Sequence, residues 1–310
     1  MSGEANHSGG IAEFKAISGL DALESDADLA AMFALNFHHD DWRNQVSVMN
    51  LGGIMLGGHI AALGVKAAYL SAGNAVPVSA HVLFLSGPDP HRPCDLKIQT
   101  IRDGQRLAHR ETSIGQNGRL CARVTTMLAR PTLSSSGPAY HHMVLSPAVP
   151  DPQTLPTRQT LLNTLPDKAG NLRRKILLGH PFLDIREIPC DRGQVGRGQF
   201  WVKVPGAEML APVDHLCLLT LISDFWFSLP IHHLPGATAT LGPDFITTSL
   251  DHAIWYHAQP DCSDWILFDM SAMAAGGGLA TLQAQVWSRD GQLLANIVQN
   301  ALFLTGENMS

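Results

Sequence analysis

The feature that most constrains the fold of this chain is an internal repeat, because one order of elements occurs twice within 310 residues. Each copy contains an apolar helix, then a strand, and later a hairpin whose turn is Asn-Gly or Asp-Gly. These dipeptides are strong short-range signals for a two-residue hairpin turn. The helices are predicted at residues 52–70 and 214–229, the strands at 76–85 and 246–257, and the turns at Asn117-Gly118 and Asp290-Gly291.

The spacing within the two copies agrees. His81 precedes Gly118 by 37 residues, and His252 precedes Gly291 by 39 residues. The sequences SAHVLFL and LDHAIWY therefore fall at the same place relative to their turns. This agreement predicts that one domain-sized unit has been duplicated.

Both helices are apolar on nearly all sides, so each of them must be buried. An antiparallel sheet wrapped around each helix is the simplest way to bury it, which predicts an α+β fold. Between the copies, the chain from Pro131 to about Gly170 is dense in Pro and Ser, which argues against long helices or strands there. We place the first copy at residues 11–131, a linker with room for one short helix at 132–178, and the second copy at 179–306.

Composition and charge exclude several classes of protein. A net charge of −6 and a pI of about 6.2 argue against nucleic-acid binding. No apolar run reaches the ~18–20 residues of a membrane-spanning helix. Five widely spaced cysteines without a CxxC motif predict a reduced, cytoplasmic protein with free thiols. Adjacent histidine pairs lack the spacing that closes on a metal ion, so no metal site is expected.

Three polar residues stand where the pattern is otherwise apolar, and burial of an unpaired polar group is costly. Asp224 interrupts the helix LCLLTLISDFWFSL. Gln299 shares a strand face, by alternation, with Leu293, Ala295, Ile297, Ala301 and Phe303, all apolar. Alternation groups Ser249 with Asp251, Ala253 and Trp255.

Each of these three residues also has a purely structural interpretation. Asp224 could end a helix or face solvent, Gln299 could bond a backbone group in the core, and Ser249 could be a strand-entry hydroxyl. In the first copy, the repeat matches Ser249 to Val78 and Gln299 to Thr126. The match to Asp224 falls near Gly53 and Ile54. Only the second copy therefore combines an acid, a hydroxyl and an amide, which is expected when one copy of a duplicated fold holds a site.

Such a group suits hydrolysis of a carbonyl compound. A partly buried Asp can accept a proton from water. A Ser hydroxyl and a Gln amide can hold that water in line with the carbonyl. Backbone N–H groups at the start of a helix could stabilise the oxyanion that develops.

Taken in order, several motifs resemble the type II acyl-CoA thioesterases, a family with a double hotdog fold. In the first copy, TIRDGQRLAHRETSIGQNG is similar to the family's Arg-Asp-Gly strand pair followed by Gln-x-Gly. In the second copy, the segments PFLDIREI, FWVKVPG, LISDFWF, SLDHAIWYH, SDWILF and RDGQLLANIVQNALF occur in the family's order. The resemblance covers most of the chain from about Gly52 to Leu304, apart from the linker.

The resemblance implies an enzyme that hydrolyses a fatty acyl-CoA to free acid and CoA. It implies no metal and no cofactor other than the coenzyme A of the substrate. The family's catalytic Asp, hydroxyl residue and Gln, which orient the attacking water, match Asp224, Ser249 and Gln299. Members of the family often associate further, so a homo-oligomer is possible.

The chain departs from the family at two places. The family usually opens its first helix with Gly-Gly-Gln and a second Gln, where this chain has Ile54 and Gly58. The family often carries Arg-Gly before its last hairpin, where this chain reads AAGGGLATLQAQ without an arginine. Loss of an arginine near a phosphorylated thioester leaves the carrier open, between CoA and a carrier protein. Two alternatives therefore stay open: a hydratase, dehydratase or carbon–carbon bond enzyme acting on a carrier-bound acyl chain, and a non-catalytic acyl-binding protein.

Further candidates are weaker. Arg102 and Arg106 are possible contacts for CoA phosphates, or they belong to a solvated face. His59 could contact substrate or act as a base in a hydratase-like reaction, or it could pack between the two copies. Trp255 is a further candidate for substrate contact. Asp251 and His252 could form an acid–base pair, or they could satisfy strand-end groups.

Overall fold

Two long helices lie side by side against one continuous sheet in the computed structural model of the chain. The structure describes residues 14–18, 26–38, 40–50, 52–73, 75–131, 149–165, 178–189, 195–234 and 246–304. Residues 132–148, the first part of the predicted linker, therefore lie outside the described residues.

Strands and helices of the first copy precede residue 130. The strands are β1 (Lys15–Ile17), β2 (Leu35–His38), β3 (Asp41–Asn44), β4 (Val46–Val48), β5 (Val76–Phe84), β6 (Asp95–Asp103), β7 (Leu107–Gln116) and β8 (Arg119–Ala129). The helices are α1 (Asp26–Ala31) and α2 (Gly57–Ser71).

The second copy repeats the long helix and the sheet. Its strands are β9 (Asp184–Ile188), β10 (Arg197–Lys203), β11 (Ile246–Tyr256), β12 (Ile266–Gly276), β13 (Leu279–Ser288) and β14 (Leu293–Leu304). Its helices are α4 (Pro212–Ser223) and α5 (Leu229–His232), with a short 3₁₀ turn at Ala207–Met209. The predicted linker before it contains a 3₁₀ turn at Pro152–Thr154 and the helix α3 (Arg158–Thr164). The short helix α3 lies in the segment where the sequence left room for one.

Twelve strands form one sheet in the order β2-β3-β6-β7-β8-β5-β11-β14-β13-β12-β10-β9. The order is symmetric about the β5–β11 pair: moving outward, β8, β7, β6, β3 and β2 match β14, β13, β12, β10 and β9. All pairs within this sheet are antiparallel. The duplication predicted from spacing is therefore present as a pseudo-twofold arrangement joined through the central strands.

The helices α2 and α4 cross closely because small residues line their contact. A Cβ atom added at Gly58 of α2 would lie 2.1 Å from the carbonyl oxygen of Leu221 in α4, closer than any real contact. All residues of α4 from Val213 to Ser223 are buried. The prediction that each apolar helix is buried by a sheet is confirmed, and the second helix covers part of the first.

The turn predictions differ in outcome. Asn117 and Gly118 both have positive φ, 54° and 78°, and join β7 directly to β8, as a type I′ turn requires. At the matching place in the second copy, β13 ends at Ser288 and β14 begins at Leu293, so the connection there is longer than two residues. Gly291 still has a φ of 88°.

The predicted alignment of the two copies is wrong by one residue at the central strands. Both strand pairs carry a β-bulge, between Pro77 and Ser79 in β5 and between Ser249 and Asp251 in β11. When the bulges are superposed, Ala80 matches His252, and Pro77, not Val78, matches Ser249. A shift of one residue reverses the face of a side chain, so His81 is exposed whereas His252 is buried.

Candidate active site

Asp224 lies at the C-terminal end of α4, as its C-cap residue. The next residues leave the helix, and Trp226 has a φ of 56°. Ser223 before it is fully buried, whereas Asp224 is partly exposed. Asp224 therefore lies at the rim of the apolar helix, where the buried residues of α4 give way to partly exposed ones.

Ser249 reaches the site because of the bulge in β11. Strict alternation groups Ser249 with Asp251, Ala253 and Trp255, and that grouping is wrong, because the structure places those three on the outer face of the sheet and Ser249 on the inner face. The extra residue at Leu250 breaks the period of two, so Ser249 points to the same inner side as His252. Bulges near active sites commonly aim a side chain in this way.

Gln299 lies on the inner face of β14, as alternation predicts. Ala295, Ile297 and Ala301 on the same face are buried, and Gln299 itself is 2% exposed. Its partner across the sheet is His252 on β11. The amide is therefore enclosed by apolar side chains and must find its hydrogen bonds inside the protein.

The structure brings the three predicted side chains together. The Ser249 hydroxyl donates to Asp224 Oδ1 at 2.7 Å, and Gln299 Nε2 donates to Ser249 Oγ at 2.8 Å. Ser249 is separated from Asp224 by 25 positions and from Gln299 by 50. The three residues come from the end of α4 and from two neighbouring strands, so only the tertiary structure makes them neighbours.

The first copy also contributes to this site through the start of α2. The Gly58 backbone N–H is hydrogen-bonded to Asp224. A Cβ at Gly57 would lie 2.5 Å from Asp224 Oδ2, so a side chain there would meet the carboxylate. The positive end of the α2 dipole faces the negative charge, which stabilises that charge.

Burial raises the pKa of Asp224 above the usual value of a carboxyl group, because the charged form loses solvation. His252 and the hydrogen bonds from Ser249, Gly58 and Gln299 act in the opposite direction and favour the charged form. The net shift is upward. A carboxylate with a raised pKa accepts a proton more readily than an ordinary one, which suits a general base.

His252 is part of the same network, and the alternation argument missed it. Its Nδ1 lies 2.7 Å from Gln299 Oε1, and its Nε2 lies 2.8 Å from Ser223 Oγ. Asp251 faces the other way and accepts from the backbone N–H and side chain of Asn300. The adjacent Asp-His pair therefore does not act as a pair. A sequence signal for His252 would have required knowledge of the bulge that places it beside Ser249.

The structure does not support substrate contact at His59. Its ring is fully buried, and both nitrogens are hydrogen-bonded to backbone groups, the N–H of Val48 at 3.1 Å and the carbonyl of Met32 at 2.8 Å. Burial lowers the pKa of His59 to about 4, so the ring stays neutral near pH 7. His59 is therefore a packing residue of the first copy, with no free ring nitrogen.

The other secondary candidates lie away from the trio. Trp255 is on the outer face of β11 and packs edge-on against His81, with ring centroids 5.2 Å apart. This outer face is opposite to the one that carries His252. Arg102 and Arg106 are exposed on β6 and on the β6–β7 connection of the first copy. Their contact with CoA phosphates stays a prediction.

Among the residues that the structure describes, no three His, Cys, Asp or Glu side chains are grouped so that they could hold a metal ion. Within the same residues, no helix is both long and apolar enough to cross a membrane.

Comparisons with known proteins agree in both sequence and fold. A family model described as the acyl-CoA thioesterase N-terminal domain matches residues 45–129, and one described as the C-terminal domain matches residues 153–303. Acyl-CoA thioesterase 2 of Haemophilus influenzae is 26% identical over 263 residues, which cover 82% of this chain and 88% of that protein.

Solved structures show the same architecture. A TesB protein of Mycobacterium avium subspecies paratuberculosis has a TM-score of 0.72 at 21% identity, covering 90% of this chain and all of that one. A protein of Alicyclobacillus acidocaldarius described as having a hot dog fold has a TM-score of 0.69 at 18% identity, covering 90% of this chain and 98% of the other. The predicted α+β double hotdog fold is confirmed.

Proposed function

The chain belongs to the acyl-CoA thioesterase family, and from this premise we propose that it hydrolyses acyl-CoA thioesters with a water molecule activated by Asp224 and oriented by Ser249 and Gln299. The observation that carries this proposal is the continuous hydrogen-bonded contact between the three side chains, with distances of 2.7 Å and 2.8 Å, at a desolvated carboxylate on a partly exposed residue. A carboxylate, an alcohol and an amide in contact can bind and polarise one water.

The reaction follows from which atoms remain free. Asp224 Oδ1 accepts the Ser249 hydroxyl, so the second oxygen of the carboxylate can accept a proton from water. Gln299 Nε2 donates one hydrogen to Ser249 and also interacts with Asp224, so its second hydrogen points to the place where a water bound to the carboxylate would lie. The water oxygen then bonds to the thioester carbon while its proton passes to Asp224. Collapse of the tetrahedral intermediate breaks the carbon–sulfur bond, and the proton held by Asp224 passes to the departing thiolate.

The acyl chain has an apolar surface beside the carboxylate. Phe225 and Trp226 follow Asp224 directly and stack on each other with ring centroids 5.5 Å apart, and Trp226 meets Phe200 edge-on at 5.5 Å. Aromatic rings offer large apolar contact to a hydrocarbon chain. Phe200 and Phe225 are buried and Trp226 is partly exposed, so we expect the acyl chain to meet this cluster at Trp226, with its carbonyl carbon at Asp224.

The geometry also weighs against a hydratase or dehydratase, which would need another acid–base group. His59, the residue that could have served, has both ring nitrogens bound to backbone groups. A non-catalytic acyl-binding protein would have no need for a carboxylate with a raised pKa. Neither alternative has an observation in its favour that matches the contact between the three side chains.

Two finer points belong to this proposal. The cysteines that the structure describes, Cys94, Cys121, Cys217 and Cys262, are free and buried, in agreement with a reducing compartment such as the cytoplasm. Assembly into a homo-oligomer remains an expectation from the family resemblance.

The test is release of free thiol from a panel of acyl-CoA chain lengths. We expect release from at least one chain length by the parent protein and loss of release in Asp224→Asn, which keeps the shape of the side chain. Asp251→Asn is the matched control, since it makes the same change two residues from Ser249 on the outer face. Conversion of an enoyl or β-keto thioester without thiol release would overturn the proposal, as would tight acyl-CoA binding without any turnover.

A further inference from the structure

His252 makes no hydrogen bond to Asp224, yet its side chain is buried and both of its ring nitrogens have a hydrogen-bond partner. The side chain is 1% exposed, and each ring nitrogen has one partner, Gln299 Oε1 at 2.7 Å and Ser223 Oγ at 2.8 Å. Phe227 packs edge-on against the ring with centroids 5.9 Å apart. The hydrogen bonds at both ring nitrogens and the contact with Phe227 therefore hold the imidazole in one orientation.

The directions of the hydrogen bonds from Asp224 through Ser249 and Gln299 to His252 Nδ1 follow from the supply of hydrogens. An ionised carboxylate only accepts, so the single hydroxyl hydrogen of Ser249 goes to Asp224. The Ser249 oxygen must then accept from Gln299, which requires the NH₂ group of the amide on that side. The amide oxygen of Gln299 is left facing His252 Nδ1, so Nδ1 must carry a hydrogen.

The structure assigns a positioning role to His252: its Nδ1–H holds the Gln299 amide with its NH₂ group toward Ser249 and the attacking water. This inference rests on the proposed hydrolysis, because it concerns the orientation of a group that acts on that water. Ser223, the last residue of α4, has one hydroxyl hydrogen and two acceptors within reach, the Thr220 carbonyl oxygen at 2.7 Å and His252 Nε2 at 2.8 Å. The tautomer with its hydrogen on Nδ1 is the one that Gln299 requires, and in that tautomer Nε2 is an acceptor for the Ser223 hydroxyl.

If the hydrogen bond from His252 Nδ1–H to Gln299 Oε1 is lost, nothing fixes the orientation of the Gln299 amide. Without His252, the Gln299 side chain can turn by half a rotation at little cost and present its oxygen to Ser249. The amide oxygen cannot donate, so the water would lose its donor and Ser249 would face a second acceptor. Burial lowers the pKa of His252, which keeps the ring neutral and leaves it a single ring hydrogen, so the choice of tautomer matters.

Substitutions at residue 252 separate positioning from packing. His252→Leu keeps much of the volume and removes the donor, and we expect kcat to fall about 10²-fold with KM within a few-fold, as for a misplaced catalytic group. His252→Asn can place its side-chain NH₂ near the position of Nδ1, and we expect it to retain most of kcat. Equal kcat in the Leu variant and the parent enzyme would overturn the proposal, and so would equal losses in the Leu and Asn variants.

A second background tests whether His252 acts through Gln299. In Gln299→Ala the amide is absent, so adding His252→Leu should not lower kcat further, although it can lower thermal stability. A further fall in kcat on the Gln299→Ala background would show that His252 acts by another route.

A readout without turnover separates this inference from the proposed function. In ¹⁵N-histidine-labelled protein, the resonance of His252, assigned by its absence in His252→Asn, should show a protonated Nδ1 and an unprotonated Nε2. Gln299→Ala should shift the Nδ1–H resonance. An unprotonated Nδ1 would sink the positioning role even if thiol release is observed. A protonated Nδ1 in a protein that releases no thiol would uphold the arrangement and reject the hydrolysis.

Discussion

The two copies of the fold carry different kinds of side chain at equivalent positions. In the second copy, the C-cap residue of the long helix is Asp224, the bulged strand carries Ser249, and the next strand carries Gln299. In the first copy, the C-cap residue is Ala72, and the residues that match by register are Pro77 and Thr126, paired with Ala80 as Gln299 is paired with His252. One backbone arrangement therefore supports the Asp224–Ser249–Gln299 network in one copy, while the matching positions of the other copy carry neither a carboxylate nor an amide.

The first copy uses charge at this place to close its helix. The guanidinium of Arg110 is 3% exposed and donates to the hydroxyl and carbonyl of Ser71 and to Asp103 at 3.0 Å. Arg130 donates to the carbonyl of Ala72 and also to Asp103. Arginines that bond the last carbonyls of a helix complement its dipole. The position that matches Arg110 by register is the buried, apolar Leu282.

Because the fold is duplicated, one copy can stabilise the protein while the other carries groups that are costly to bury. The first copy satisfies the end of α2 with cations, whereas the second copy leaves a desolvated carboxylate at the end of α4. Since the N-terminus of α2 supplies the Gly58 N–H to that carboxylate, the first copy also supports the site of the second. The two copies thus divide stability and chemistry between them.

Making the second copy resemble the first at the helix end should have the largest effect. Asp224→Ala replaces the base with the residue type of the C-cap in α2, and we expect kcat to fall about 10³-fold because proton acceptance from water is lost. The measurement is thiol release at saturating acyl-CoA. The reverse change, Ala72→Asp in that variant, should not restore activity, and recovery would contradict the asymmetry of the two copies.

The next effect is expected at the strand position. Gln299→Thr introduces the residue of the first copy, and the shorter hydroxyl cannot reach both Ser249 and the water. We expect kcat to fall about 10²-fold, as for a lost oriented donor. Circular dichroism of the variant serves as the control for folding. An unchanged kcat would show that the amide is a core residue without a part in the reaction.

Substitution of the arginine network in the first copy should lower the stability of the protein and leave its activity unchanged. Arg110→Leu, which imitates Leu282, removes the donor to the end of α2, and we expect the free energy of unfolding to fall by about 2 kcal/mol. Urea denaturation measures this change, and kcat per folded molecule should stay close to that of the parent. A lower kcat at unchanged stability would place the first-copy network in the reaction.

The smallest expected effect is on the pH dependence of kcat/KM. Because burial raises the pKa of Asp224, its ionised form is reached at a higher pH than for an ordinary carboxyl group. If Asp224 acts as the base, kcat/KM should be low below this pKa and should rise as the pH increases through it. The inflection should lie above the ordinary Asp value of about 3.9. A profile that is flat down to that value would argue against a desolvated base.

Parts of the site followed from the sequence for simple reasons. Gln299 stands on a strand face whose other residues are apolar, and Asp224 stands within an otherwise apolar segment, so each departs from the surrounding pattern. That segment is not one continuous helix as the sequence predicts, because α4 ends at Ser223 and Asp224 is its C-cap residue. The spacing of the sequence does not give the matching of residues between the two copies at the helix end. A constant spacing between the copies predicts that Gly53 and Ile54 match Asp224. The spacing is not constant, since α2 ends five positions before β5 whereas α4 ends at Ser223 and β11 begins at Ile246. The C-cap of α2 is Ala72, which still provides no carboxylate.

Local patterns in the sequence determined the α+β duplication, the burial of both helices and the inward face of Gln299, because apolar periodicity is a property of neighbouring residues. The tertiary structure alone decided which face Ser249 occupies, that His252 stands behind Gln299, and that the start of α2 reaches Asp224. These depend on a bulge and on the approach of two helices, and both are set by packing between residues that are far apart in the chain.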